Sequence, residues 1–188
     1  MPLTKLNFPS GSILQTQYTQ VTTASQVTGI SANTQTTVTG LAVNITPSFS
    51  NSIIKIQSTL FCEYSASYWT ANTMFYFLRD STALKADTAG SRRTGIATPV
   101  DAYTDQNAAS TPEVVDCIYF DSGHNTTSQI TYSLAFDGYY PTSGTGILYI
   151  NRTVSDTDNN SHERGVSFIM AQEIKGQVMR VDAVYDSV

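Results

Sequence analysis

His124 and His162 are the only histidines in this 188-residue sequence, and so its only imidazoles for general-base or metal chemistry near neutral pH. Both stand in turns rich in Gly, Asn and Ser, neither belongs to a metal-ligand spacing, and both read as surface loop residues without a task. Cys62 and Cys117 sit within the apolar runs 60–64 and 114–120, which reads them as small buried hydrophobes; a disulfide would require neighbouring strands. Asp156-Thr157-Asp158-Asn159-Asn160 opens like a calcium loop, with oxygen donors at alternate positions. Ser161 then stands where the sharp-turn glycine belongs and Ser167 where the bidentate Glu belongs, so a solvated turn is the better reading. Glu63, Asp80, Glu113 and Asp116 offer carboxylates for paired acid–base work without a spacing that pairs them. No nucleophile elbow, phosphate-cradling glycine loop or dinucleotide fingerprint occurs. The expectation is a protein that is not an enzyme and has no cofactor or metal. Aromatic faces remain: Tyr64, Tyr68, Trp69, Tyr139 and Tyr140 fall in or beside loops, where they suit either sugar stacking or interface anchoring.

The elements that must carry these residues are strands. Ile130-Thr131-Tyr132-Ser133-Leu134-Ala135-Phe136 alternates large apolar with small or hydroxylated residues, the period of a strand with one face buried. Strand-like segments cover 13–23, 35–46, 52–64, 73–80, 113–120, 128–137, 146–151 and 165–174, with Leu41, Val43 and Ile45 facing inward and Pro47 to Asn51 turning a meander or Greek-key step. The stretch 84–112 reads as an extended loop with a short strand around 93–97. No capped amphipathic period of 3.6 appears. The predicted class is therefore all-β: an antiparallel β-sandwich in one domain spanning 13–176, preceded by an extended arm at 1–12 and followed by a strand-like tail at 177–188.

Composition says where such a sandwich meets its surroundings. Charged residues are 13% of the chain, against roughly 25% in ordinary soluble proteins. Ser and Thr together make up about a quarter, so the outward strand positions are polar but uncharged. Interface cores are depleted in charge because burying an unpaired ion is costly, which predicts self-association. The net charge of −5 with scattered Lys and Arg argues against a nucleic-acid partner. No apolar run suits membrane insertion, and the first residues lack the pattern of a secretory signal, so synthesis in a cytoplasm is expected.

Gly11-Ser12-Ile13-Leu14-Gln15, Thr37 to Pro47, Ser52-Ile53-Ile54-Lys55-Ile56, Phe77 to Leu84, Ala89 to Arg93, Tyr119-Phe120-Asp121-Ser122, Tyr149-Ile150-Asn151-Arg152 and Met170 to Ile174 follow one another in an order that resembles small virion structural proteins of tailed phages, particularly of aquatic bacteria. Met1 to Leu6 is similar to the opening of phage fibre and attachment proteins. The resemblance covers most of 11–176 and brings no catalytic residues. It implies a jelly-roll-like homotrimer in the virion, serving as a capsid-decoration, head-fibre or tail-fibre knob. The arm, with Leu3, Leu6 and Phe8, would bind a capsid or tail protein. The alternative expectation is a receptor-binding tip, with Tyr68, Trp69, Tyr139 and Tyr140 meeting a host surface glycan or protein.

Overall fold

The computed structural model describes residues 8–65, 72–88, 90–99, 110–139 and 144–176; the tail at 177–188 and most of the arm lie outside them. Ten strands and no helix make up the described residues: β1 Ile13–Val21, β2 Ser25–Ile30, β3 Thr36–Ile45, β4 Ile53–Tyr64, β5 Met74–Arg79, β6 Thr82–Leu84, β7 Glu113–Asp121, β8 Ile130–Asp137, β9 Gly146–Ile150 and β10 Ser167–Ile174. All pairings are antiparallel.

Two sheets face each other. One has six strands. Within it β4 is the axis: β7 lies along one side of it, while β10 and then β9 share the other, and β1 and β2 follow outside β10 and β9 respectively. The second sheet runs β3-β8-β5-β6. Leu41, Val43 and Ile45 point inward from β3, as their alternation predicts. They meet Ile54, Ile56 and Leu60 of β4, Phe77 of β5 and Leu134 of β8 in one apolar core. Phe75 and Phe136 stack within it, ring centroids 5.0 Å apart.

Two details of the sequence expectation change. Pro47 to Asn51 does turn the chain, but β3 and β4 do not pair; the turn carries the chain from one sheet to the other, and among the described residues only β5 and β6 form a local hairpin, closed by Asp80 at φ 52°. Asp tolerates that left-handed conformation better than most residues, because its short polar side chain bonds locally. Asp80 is also held across the sheet by β8, its Oδ1 accepting from Thr131 N at 3.0 Å. The second change concerns β8, which is buried on both faces rather than one. Part of its outer side is packed by the chain itself: Ile96 and Ala83 pack against the cluster of Tyr76, Leu78 and Ala135, while Ala97 pairs edge-on with Phe75. The short strand expected at 93–97 is thus a single bridge beside β5, at the same edge of the four-stranded sheet as β6.

Gly40 tests the local geometry. It sits at φ 86° inside an irregularity of β3 between Thr37 and Ala42, where a Cβ would have only ordinary contact with Val21. The cost of Gly40→Ala is therefore conformational, about 1–2 kcal/mol, expected as a lowered midpoint in urea denaturation with an unchanged slope.

Candidate assembly face

One broad surface stands out in this fold, the outer face of the six-stranded sheet. It follows from strand alternation. On β4 the inward Ile54, Ile56, Ser58, Leu60 and Cys62 are buried, which turns Ile53, Lys55, Gln57, Thr59 and Phe61 outward. The register aligns them with Phe168, Met170, Gln172 and Ile174 of β10, with Thr16, Tyr18 and Gln20 of β1, and with Val114, Asp116, Ile118 and Phe120 of β7. Val114, Ile118 and Phe120 are about half exposed, at 49%, 48% and 57%, and Tyr18 is 69% exposed. Lys55 and Asp116 are the only charges among these outward positions. Single exposed apolar residues are ordinary; here exposed apolar residues stand on β1 and β7, with half-buried Ile53, Phe61, Phe168, Met170 and Ile174 between them and Gln57, Thr59 and Gln172 interspersed, which makes this face a candidate interaction surface. The sequence carried a signal for it: Val114-Val115-Asp116-Cys117-Ile118-Tyr119-Phe120 is apolar at nearly every position, the pattern of a strand covered on both sides.

The candidate chemical residues do not converge. Cys62 and Cys117 are free and buried; β4 and β7 are neighbours, but Cys62 lies opposite Glu113 and Cys117 opposite Ser58, four residues out of step for a disulfide. Burial, with the Glu113 and Glu63 charges behind it, pushes the Cys62 thiol well up, and burial beside Asp116 pushes Cys117 up to about 12. Both are held as neutral thiols, unsuited to nucleophilic work. Glu63 is buried as a clamp: Oε1 accepts from Thr111 N and Oγ1, each at 2.9 Å, and Oε2 from Val154 N at 2.7 Å. Asp116 faces outward and accepts from Thr59 Oγ1 at 2.5 Å.

His124 differs from expectation: it is buried, not a surface residue. Its Nε2 lies 2.9 Å from the Ser52 carbonyl and its Nδ1 3.1 Å from that of Thr126, so the ring ties the turn after β7 to the start of β4. Gly and Asn neighbours disguised it as a loop residue. His162 is half-buried in an open cleft of about 380 Å³ lined by Asp156, Thr157, Asp158, Asn159 and Arg164. Asp156 is already engaged there by Arg152 at 3.1 Å and Arg164 at 2.5 Å. An arginine-neutralised Asp leaves the would-be calcium loop short of charge, and among the described residues no group of three or more His, Cys, Asp or Glu is placed to hold a metal ion.

The two ends of the sandwich differ. At one end Phe8 is exposed, its carbonyl accepting from Lys175 Nζ, and Gly11 N and Lys175 O lie 2.9 Å apart, so the arm leaves beside the end of β10. Glu173 organises that end, accepting from Ser48 N at 2.8 Å, Phe49 N at 3.1 Å and Gln15 Nε2 at 2.7 Å. At the opposite end β4 finishes at Tyr64 and β8 at Asp137. Tyr139 is 45% exposed there, with the Arg93 guanidinium 5.7 Å from its ring centre. Tyr64 is buried and pushed up to about 12 by burial, which removes it from the stacking candidates. Leu3, Leu6, Tyr68, Trp69 and Tyr140 lie outside the described residues.

No protein-family model matches the chain, and a search of the curated proteins finds no match. Among the described residues no helix is long and apolar enough to cross a membrane. The fold class is an antiparallel all-β protein of two sheets, consistent with a β-sandwich.

Proposed function

We propose that this protein is a structural component of a phage virion: a trimeric jelly-roll knob without enzymatic activity, tied by its N-terminal arm to a capsid or tail protein. The observation that carries the reading is the outer face of the six-stranded sheet, where Tyr18, Val114, Ile118 and Phe120 are about half exposed or more and Lys55 and Asp116 are the only charges at the outward positions of β1, β10, β4 and β7, a composition suited to contact with protein. Strand order supports the jelly-roll part. The row β1-β10-β4-β7 opposite β3-β8-β5-β6 is the order produced when eight successive strands cross between two sheets as two Greek keys, with β2 and β9 continuing β1 and β10. The sequence resemblance supplies the particle.

Polarity of the sandwich favours anchoring by the arm. Phe8 leaves at one end, and the strands leading into 66–71 and 140–143 finish at the other. The same polarity leaves room for the receptor-binding reading, in which Tyr139, already stacked on Arg93, belongs to a host-facing tip. Deleting residues 1–12 is the test. The expected result is a folded, β-rich protein that no longer enters particles; normal incorporation of the shortened chain would overturn the anchoring role.

A further inference from the structure

The two sheets treat their outer faces differently. On the four-stranded sheet the chain packs over part of the outer side, with Ile96 and Ala83 against Tyr76, Leu78 and Ala135, and the exposed outward residues of β3, Thr37, Thr39 and Asn44, are polar. On the six-stranded sheet Ile118 and Phe120 of β7 remain about half exposed, and Tyr18 of β1 more so. Resting on the reading of this chain as a particle subunit, we infer that the missing cover is further copies of the same chain, meeting through this face about a threefold axis. The axis crosses the strands along the row Tyr18, Met170, Gln57 and Ile118.

Charge placement names the occupant. Lys55 lies two residues along β4 from Gln57 on one side of that row, and Asp116 lies two residues along β7 from Ile118 on the other. Rotation about an axis along the row sets the Lys55 side of one copy against the Asp116 side of the next. Every lysine then meets an acid, and like charges stay apart. The face is complementary to itself, which a foreign partner would not require.

Dimensions agree. From Ile53 to Phe61, β4 runs about 27 Å at ~3.4 Å per residue. Three such faces closed into a triangle would leave the middle row about 8 Å from the axis, given that strand length. Tyr18, Met170 and Ile118 are the long side chains placed to fill that space. Four strands across make the face about 19 Å wide. The flat footprint is roughly 500 Å², larger as accessible surface, on the order of the ~800 Å² per partner of a stable interface.

The test uses the purified full chain and mass by light scattering. Wild type is expected as a trimer, Ile118→Asp as a monomer with an unchanged β-rich circular dichroism spectrum, and Tyr139→Ser, away from the face, as a trimer. Lys55→Asp should weaken assembly at least tenfold, and adding Asp116→Lys to the same chain should restore it by re-forming each pair with reversed sign. The charge exchange decides the matter even if Ile118→Asp fails to fold. A trimer indifferent to Ile118→Asp and Lys55→Asp overturns the face and leaves the multi-copy reading standing. A dimer overturns the threefold. A wild type that stays monomeric at high concentration overturns the multi-copy reading as well. A wild type that is itself monomeric, and whose entry into particles is lost with Ile118→Asp, shows instead that the face belongs to another particle protein, and overturns self-assembly.

Discussion

Asp121→Ala is expected to cost about 3–5 kcal/mol of unfolding free energy, because it strands a partly buried cation and a buried phenol at once. Asp121 ends β7 in the six-stranded sheet, while its partners stand on β5 and β8 of the other sheet. Arg79 Nη1 approaches Oδ1 at 2.9 Å and Oδ2 at 3.0 Å, and Tyr132 Oη donates to Oδ2 at 2.8 Å. Gly123 N closes the local turn on Oδ1 at 2.9 Å. The Asp121 side chain is 4% exposed and that of Arg79 23%, so solvent screens the pair weakly. Burial first, then the Asp121 contact, pushes the Tyr132 phenol far up, so it stays a donor at all ordinary pH. Asp121 thus pins β7 to β5 and β8 of the facing sheet. Asp121→Ala should lower the melting temperature by roughly 10 °C, Asp121→Asn by less because its one amide oxygen can still accept from either Gly123 N or Tyr132 Oη. Replacing both charges, as in Arg79→Met with Asp121→Leu, should recover part of the loss, since the isolated cation is the main penalty. A melting temperature unchanged by Asp121→Ala would contradict this account.

Glu173 gives the second large effect, and it carries a pH signature. Its side chain is buried at the arm end, holding two backbone N–H groups of the 46–52 turn and the Gln15 amide. Burial alone would raise the Glu173 carboxyl. The hydrogen bonds from Gln15 and the Ser48 backbone outweigh it and leave the group below the ordinary value of 4.5. A carboxyl lowered in the folded state stabilises the fold above its unfolded value, and that stability is lost as pH falls through the folded one. Glu173→Gln should therefore be less stable than wild type at pH 7, and the two should begin to converge as pH falls below the ordinary carboxyl value of 4.5. Glu173→Ala orphans the buried donors and should cost about 3 kcal/mol at pH 7. Parallel denaturation curves for wild type and Glu173→Gln from pH 7 to pH 3 would contradict the role assigned to this carboxylate.

Strand alternation makes much of this fold legible in the sequence. Leu41, Val43 and Ile45 and the run from Ile53 to Tyr64 declare their buried faces through a period of two. β2 escapes because its two buried residues, Val27 and Ile30, are three apart across an irregularity that includes Gly29 at φ 73°. β6 is only three residues long. Pairing is not legible at all: β1 joins β10 and β4 joins β7 across long stretches of chain, and local pattern carries no information about such partners. For the same reason the low charge of the chain predicts company without saying where. On β8 the outward side is packed in part by the chain itself, where Ile96 joins the cluster of Ala135, Tyr76 and Leu78. The surface left for company is the one where β7 sets Val114, Ile118 and Phe120 outward, a face defined only by the register of β7 and β10 with β4.

The central claim is that the chain does not stand alone, and its mass in solution tests that most directly. Light scattering of the purified chain at physiological salt should give the mass of three copies of a 20.4 kDa subunit. A mass of 20.4 kDa that persists as concentration rises would contradict it.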